Sequence, residues 1–151
     1  MHRAIRERFT GLRMPGLVLL LTLFLVLPAC SRQRSITREE LRSHLVSAAS
    51  FAAEAEAFIG YVGAGRSTGA FAEGHAEYLA KETSRLAEEL DGTRAEPADA
   101  DTLANCRQQI GELLKELELV RSEISVNDAL AARKNRLQQI QKAIEKRKAH
   151  L

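Results

Sequence analysis

Residues 37–63 read TREELRSHLVSAASFAAEAEAFIGYVG, and the spacing within them decides the fold. Thr37 followed by Glu40 is a capping box: the Thr hydroxyl accepts from the Glu40 amide, and the Glu carboxylate accepts from the Thr37 amide. Leu41, Leu45, Ala48, Ala52, Ala55, Ile59 and Val62 then recur at intervals of 4-3-4-3-4-3. That heptad rhythm places them on one face of a helix. The alanines in its middle let a neighbouring helix approach closely. One helix is expected over about 38–63.

Downstream, Gly60, Gly63, Gly65 and Gly69, with Ser67 and Thr68, break the pattern. Thr68 or Ser67 can cap a second helix, whose apolar face reads Phe71, Ala72, His75, Tyr78, Leu79, Leu86 and Leu90. Asp91-Gly92-Thr93 ends it, and Glu96-Pro97 opens the next element, proline suiting a first helical turn. A second clear seam follows at Leu103, Cys106, Ile110, Leu113, Leu117, Val120 and Ile124, spaced 3-4-3-4-3-4. After Ile124 the phase slips. The apolar set becomes Val126, Leu130, Leu137, Ile140, Ile144 and Leu151, and Ser125 reads as the N-cap of a fourth helix. The alternative is three helices with a long, kinked last one. Similar helix lengths and short loops point to an all-α, antiparallel up-down helical bundle over residues 37–151, with four helices favoured. No segment shows strand alternation.

Upstream of the bundle lies a segment of a different kind. Arg3, Arg6, Arg8 and Arg13 are opposed only by Glu7, and Leu17 to Leu27 is an uncharged, almost wholly aliphatic run of eleven residues with Thr22 its only polar member. A membrane span needs roughly 20 such residues, so the run fits the core of a secretory signal peptide better. It ends Leu27-Pro28-Ala29-Cys30. Residues 1–30 resemble the signal peptides of bacterial lipoproteins, which end Leu-x-[Ala/Gly]-Cys; Leu27, Ala29 and Cys30 match, while Pro28 is less usual. The resemblance implies cleavage before Cys30 and acylation of that cysteine. It divides the chain into a signal peptide at 1–29, a lipidated polar tether at 30–36 and the bundle. It also implies a cell-envelope protein, with Ser31 after the cysteine favouring the outer over the inner membrane. Two acyl chains give stable anchoring where one is marginal.

Removing residues 1–29 leaves 122 residues with 18 basic and 19 acidic side chains, no Trp and no Met. That length suits one domain with a modest core. With Cys30 lipidated, Cys106 is alone and no intramolecular disulfide can form. On the apolar stripe of the third helix it reads as a small hydrophobe. Near-neutral charge and export argue against nucleic-acid binding.

Few residues suggest chemistry. Residues 60–67, GYVGAGRS, imitate a phosphate-binding loop, but they follow a seamed helix rather than a strand and carry Arg66 where the lysine belongs. None of His44, His75 and His150 has a Glu three residues earlier, as di-metal bundles require, and there is no Cys-x-x-Cys. No metal, cofactor or catalytic group is expected. Glu54, Glu56, His75 and Tyr78 form a candidate polar cluster between the first two helices, where bundles place ligand sites. Charge is also uneven. Residues 39–128 hold 18 acids against eight bases, whereas residues 129–151 hold Arg133, Lys134, Arg136, Lys142, Lys146, Arg147 and Lys148 against Glu145 alone. This last set is a candidate membrane or partner face, since each Lys or Arg near an anionic surface gains about 1 kcal/mol. The simpler reading is that it pairs with acidic neighbouring helices.

The expected function is a non-enzymatic interaction or structural module, bound to lipid through Cys30 and to an envelope protein or a second copy of itself. A small-molecule or lipid-binding bundle, or a helical chaperone, is the alternative. Replacing Cys30 with Ala should abolish incorporation of labelled palmitate; acylation that persists in the variant would refute the lipoprotein assignment.

Overall fold

The computed structural model describes residues 34–151. The signal-peptide and acylation assignments at Leu27, Ala29 and Cys30 lie outside the described residues.

The described residues are all-α, with four helices: α1 Arg38–Gly63, α2 Gly69–Asp91, α3 Ala100–Glu123 and α4 Asn127–Lys148. At 1.5 Å per residue they are about 33–39 Å long. Thr37 caps α1 with both arms of the capping box, Glu40 N–H to Thr37 Oγ1 at 3.2 Å and Thr37 N–H to Glu40 Oε2 at 2.9 Å. The backbone hydrogen bond from Thr37 holds the Glu40 carboxyl below its usual range, with Arg34 adding to the effect. Its contribution is therefore present above the ordinary carboxylate pKa and fades as pH falls through the lowered value.

The seams of α1 and α3 are buried as their spacing requires. Leu41, Leu45, Ala48, Ala52, Ala55 and Ile59 line α1, with Val62 packed at the margin; every seam residue from Leu103 to Ile124 is in the core. α1 is the one described helix long and apolar enough to cross a membrane, and its Leu41, Leu45, Ala48, Ala49, Ala52 and Ala55 are buried in the bundle. It packs most extensively on α4, as α2 does on α3. Cross-helix contacts run in opposite sequence directions. Phe58 meets Phe71 while Glu54 meets His75; Arg133 reaches Glu116 and Glu123 while Arg136 reaches Glu112.

Three expectations need correction. The buried face of α2 is Ala72, Ala76, Leu79, Thr83, Leu86 and Leu90, whereas Phe71 and Tyr78 are about half exposed. The second correction concerns Ser125. The chain does turn here rather than kink, but Val126 occupies the N-cap position of α4, with no side-chain cap. Val126 is itself exposed, and buried Ile124 pins the turn instead. Third, the tether is not free to its end. Strand β1, Arg34–Ser35, pairs in parallel with β2, Thr93–Arg94; Ile36 is buried and its N–H donates to the Arg94 carbonyl at 2.8 Å. Arg107 supports this patch by donating to the carbonyls of Leu90 and Thr93, both at 2.7 Å, which satisfies α2's C-terminal end.

α4 completes the core with Leu130, Leu137, Ile140 and Ile144. In that 3-4 rhythm Arg133 takes the seam position between Leu130 and Leu137. Its guanidinium donates to buried Glu116 at 3.2 Å and to Glu123 at 2.8 Å, which keeps it firmly charged. Arg133→Ala strands the Glu116 carboxylate and should lower stability in urea by about 2–3 kcal/mol. Arg136→Ala breaks an exposed pair and should cost less than about 1 kcal/mol. Equal losses would mean that the seam position carries no special weight.

Candidate functional site

α2 carries two stripes. The buried one builds the core; the other, Phe71, His75 and Tyr78 at i, i+4 and i+7, faces outward beside α1. Thr68 starts the helix by accepting from the Phe71 amide at 3.3 Å, and Gly65, at φ 66°, supplies the left-handed residue that the preceding loop needs. Phe58 and Tyr61 reach the same surface from the last two turns of α1. Of the five aromatic residues in 34–151, four gather here, and only Phe51 lies apart.

The rings form a corner. Phe71 and His75 lie parallel within 6° at 5.6 Å, and Phe58 stands at 66° and 62° to them, its centroid 4.6 Å from the imidazole. Tyr78 stacks on the other side of His75 at 5.9 Å. Such edge and offset arrangements satisfy the ring quadrupoles. His75 Nε2 is 3.2 Å from Glu54 Oε1. Phe58 is buried, while Phe71 is 56% exposed, Tyr61 47% and Tyr78 48%. Glu54, Ala57, Phe58, Tyr61, Arg66, Phe71 and His75, with Ser67 and Thr68, bound a shallow, solvent-open depression of ≈ 650 Å³.

Of the four residues expected to cluster, Glu54, His75 and Tyr78 are brought together. Glu56 is not. It points to the α1–α4 seam, where Gln138 donates to it at 2.6 Å and Lys134 lies 4.0 Å away. Two residues apart on a helix, Glu54 and Glu56 face different neighbours. Tyr61, Phe71 and Arg66 complete the surface and were not among the expected cluster.

The basic C-terminal set is divided as well. Arg133, Lys134 and Arg136 bridge to acids on other helices, and Lys148 pairs with Glu145 at 2.5 Å. Lys142, Lys146 and Arg147 have no ion pair among the described residues. Lys146 and Arg147 border a small depression with Gln109, Ala143 and His150. Arg147 also lies near Cys106, whose thiol burial pushes up to about 11 despite that positive charge. The thiol is therefore neutral and enclosed at physiological pH, as a packing residue should be.

Residues 60–67 are the last turn of α1 and the loop after it, with no strand before them. Among the described residues no three His, Cys, Asp or Glu side chains are placed to hold a metal ion. Comparison with protein-family models, curated proteins and solved structures finds no match.

The aromatic surface separates packing from display. Phe58→Ala should destabilise by about 3–5 kcal/mol, whereas Phe71→Ala, largely in solvent, should change stability by less than about 1 kcal/mol. Thermal denaturation of the two variants checks this; a large loss for Phe71 would make the exposed ring structural.

Proposed function

We propose that this chain is a lipid-anchored envelope protein whose helical bundle is a non-enzymatic interaction module, with the α1–α2 aromatic surface as its contact site. The observation that carries the reading is the exposure of Tyr61, Phe71 and Tyr78 around His75. Exposed aromatic residues beside an Arg are the composition of interaction hot spots, and a contiguous apolar patch on an otherwise charged surface marks a binding face.

The reading draws further support from the docked tether. Three residues lie between Cys30 and Arg34, where β1 begins, a reach of about 14 Å over four residue steps at full extension. An acyl group on Cys30 would hold the β1 end of the bundle close to the lipid. The aromatic surface lies along the other half of α1. The anchor thus leaves the contact face directed away from the membrane, toward proteins of the envelope or a neighbouring copy. Lys142, Lys146 and Arg147 remain available for anionic headgroups, a smaller set than the seven basic residues of the C-terminal segment.

A small-molecule reading has one observation in its favour, the ≈ 650 Å³ depression itself. Its openness favours a macromolecular partner, because ligand sites bury most of their ligand.

A photoreactive residue at Tyr78 should capture a discrete partner in intact cells, a crosslinked dimer being one form of it. Phe71→Ala with Tyr61→Ala should cut that yield at least about tenfold, while membrane association and helix content stay unchanged. Undiminished capture by the double variant would reject this surface.

A further inference from the structure

The chemistry of the aromatic corner narrows what it receives. We propose that the depression between α1 and α2 takes an arginine side chain from a protein partner, its guanidinium stacked on the exposed aromatic surface and hydrogen-bonded to Glu54. This rests on the reading of that surface as the interaction site and adds the identity of the group that enters it.

Three observations carry it. The first is the carboxylate. Glu54 makes its close contact through Oε1 alone, to His75, and has no Lys or Arg partner among the described residues. Its side chain is 46% exposed at the edge of the depression. Glu116, Glu123, Glu112 and Glu56, by contrast, each meet a cation on another helix. The second is the rings. Phe71 stacks on His75 by one face and is itself 56% exposed, and Tyr61, 47% exposed, borders the same depression; an open ring face attracts a cation. The third is the wider field. Residues 38–91, which form the α1–α2 pair, hold ten acids and five bases, an excess that favours an incoming positive group. Arginine fits better than lysine because its planar guanidinium stacks on a ring and offers several donors to a carboxylate at once.

Arg66 on the rim opposes a cation, and this gives the site a directional test. Removing it should strengthen binding of a positive ligand and weaken binding of a negative one.

The chain has no Trp and just two tyrosines, Tyr61 and Tyr78. Both stand at this surface, so intrinsic tyrosine fluorescence reports on it directly. Titration of the protein with N-acetyl-arginine amide should give a saturable change that the uncharged isostere N-acetyl-citrulline amide does not. Glu54→Gln should weaken the arginine probe roughly two- to fivefold, Phe71→Ala should abolish its binding, and Arg66→Ala should tighten it. Circular dichroism of each variant confirms the fold. Equal response to arginine and citrulline probes, or weaker binding after Arg66→Ala, overturns the proposal. So does stronger binding of choline than of the arginine probe, which would mark a quaternary-ammonium site. No binding of any probe also overturns it, yet leaves crosslinking from Tyr78 to decide separately whether the surface engages a partner.

Discussion

The Arg133 guanidinium, bridged to Glu116 and Glu123 inside an otherwise apolar seam, is the constraint on which the arrangement of α3 and α4 depends. A heptad seam of leucine and isoleucine alone tolerates sliding by one heptad, because one apolar knob resembles the next. A part-buried ion pair anchored on the buried Glu116 does not. Sliding α4 by one heptad would leave Glu116 in the core without its cation, an error far costlier than a repacked leucine. The pair also sits near the α3–α4 turn, where Ile124 is buried and Val126 donates to the Glu123 carbonyl at 2.7 Å. Turn and ion pair thus fix the same register. That explains how a sharp reversal forms without a glycine.

α1 and α3 were legible because large or consistently small apolar residues kept a strict 3-4 rhythm. α2 was only half legible. Its core stripe relies on Ala72, Ala76 and Thr83, residues whose burial is weakly signalled by their chemistry. Phe71 and Tyr78 drew the apolar face toward themselves by size. A check existed within the sequence: Ala72, Ala76, Leu79, Thr83, Leu86 and Leu90 keep the same 4-3-4-3-4 spacing as α1. The β1–β2 pair was not legible at all, since two residues on each side carry no alternation. Thr83 Oγ1 remains buried without a hydrogen-bond partner, a polar cost in the middle of that seam.

The site followed the same division. His75 and Glu54 were identifiable as facing polar residues on consecutive helices. Tyr61 and Phe71 were not, because a hydrophobic residue at helical spacing is more often core than surface. The sequence groups Glu56 with Glu54, but the orientation of α1 against α4, a tertiary fact, turns it to Gln138 and Lys134. The basic segment shows the same dependence. Seven positive side chains look like one face when read along the chain, but packing assigns Arg133, Lys134 and Arg136 to carboxylates on α1 and α3.

What remains exposed after these pairings gives the molecule a polarity. At one end β1 is stitched to β2, Arg107 closes the carbonyls of α2, and Arg38 bonds Asp99 at 2.6 Å, so the start of α1 and the entry to α3 are tied together. At the other end the α1–α2 loop is short and exposed, closed by backbone bonds from Gly65 to Val62 and from Arg66 to Tyr61 and by the Thr68 cap, and the adjoining Tyr61 and Phe71 rings lie open. Rigid attachment at one end and displayed aromatic groups toward the other place the ordering cost of binding on a few side chains rather than on the backbone. A contact surface built this way is available before a partner arrives. In the proposed contact, selectivity would rest on the Glu54 carboxylate and the exposed rings, because these are the groups on the surface with directional chemistry.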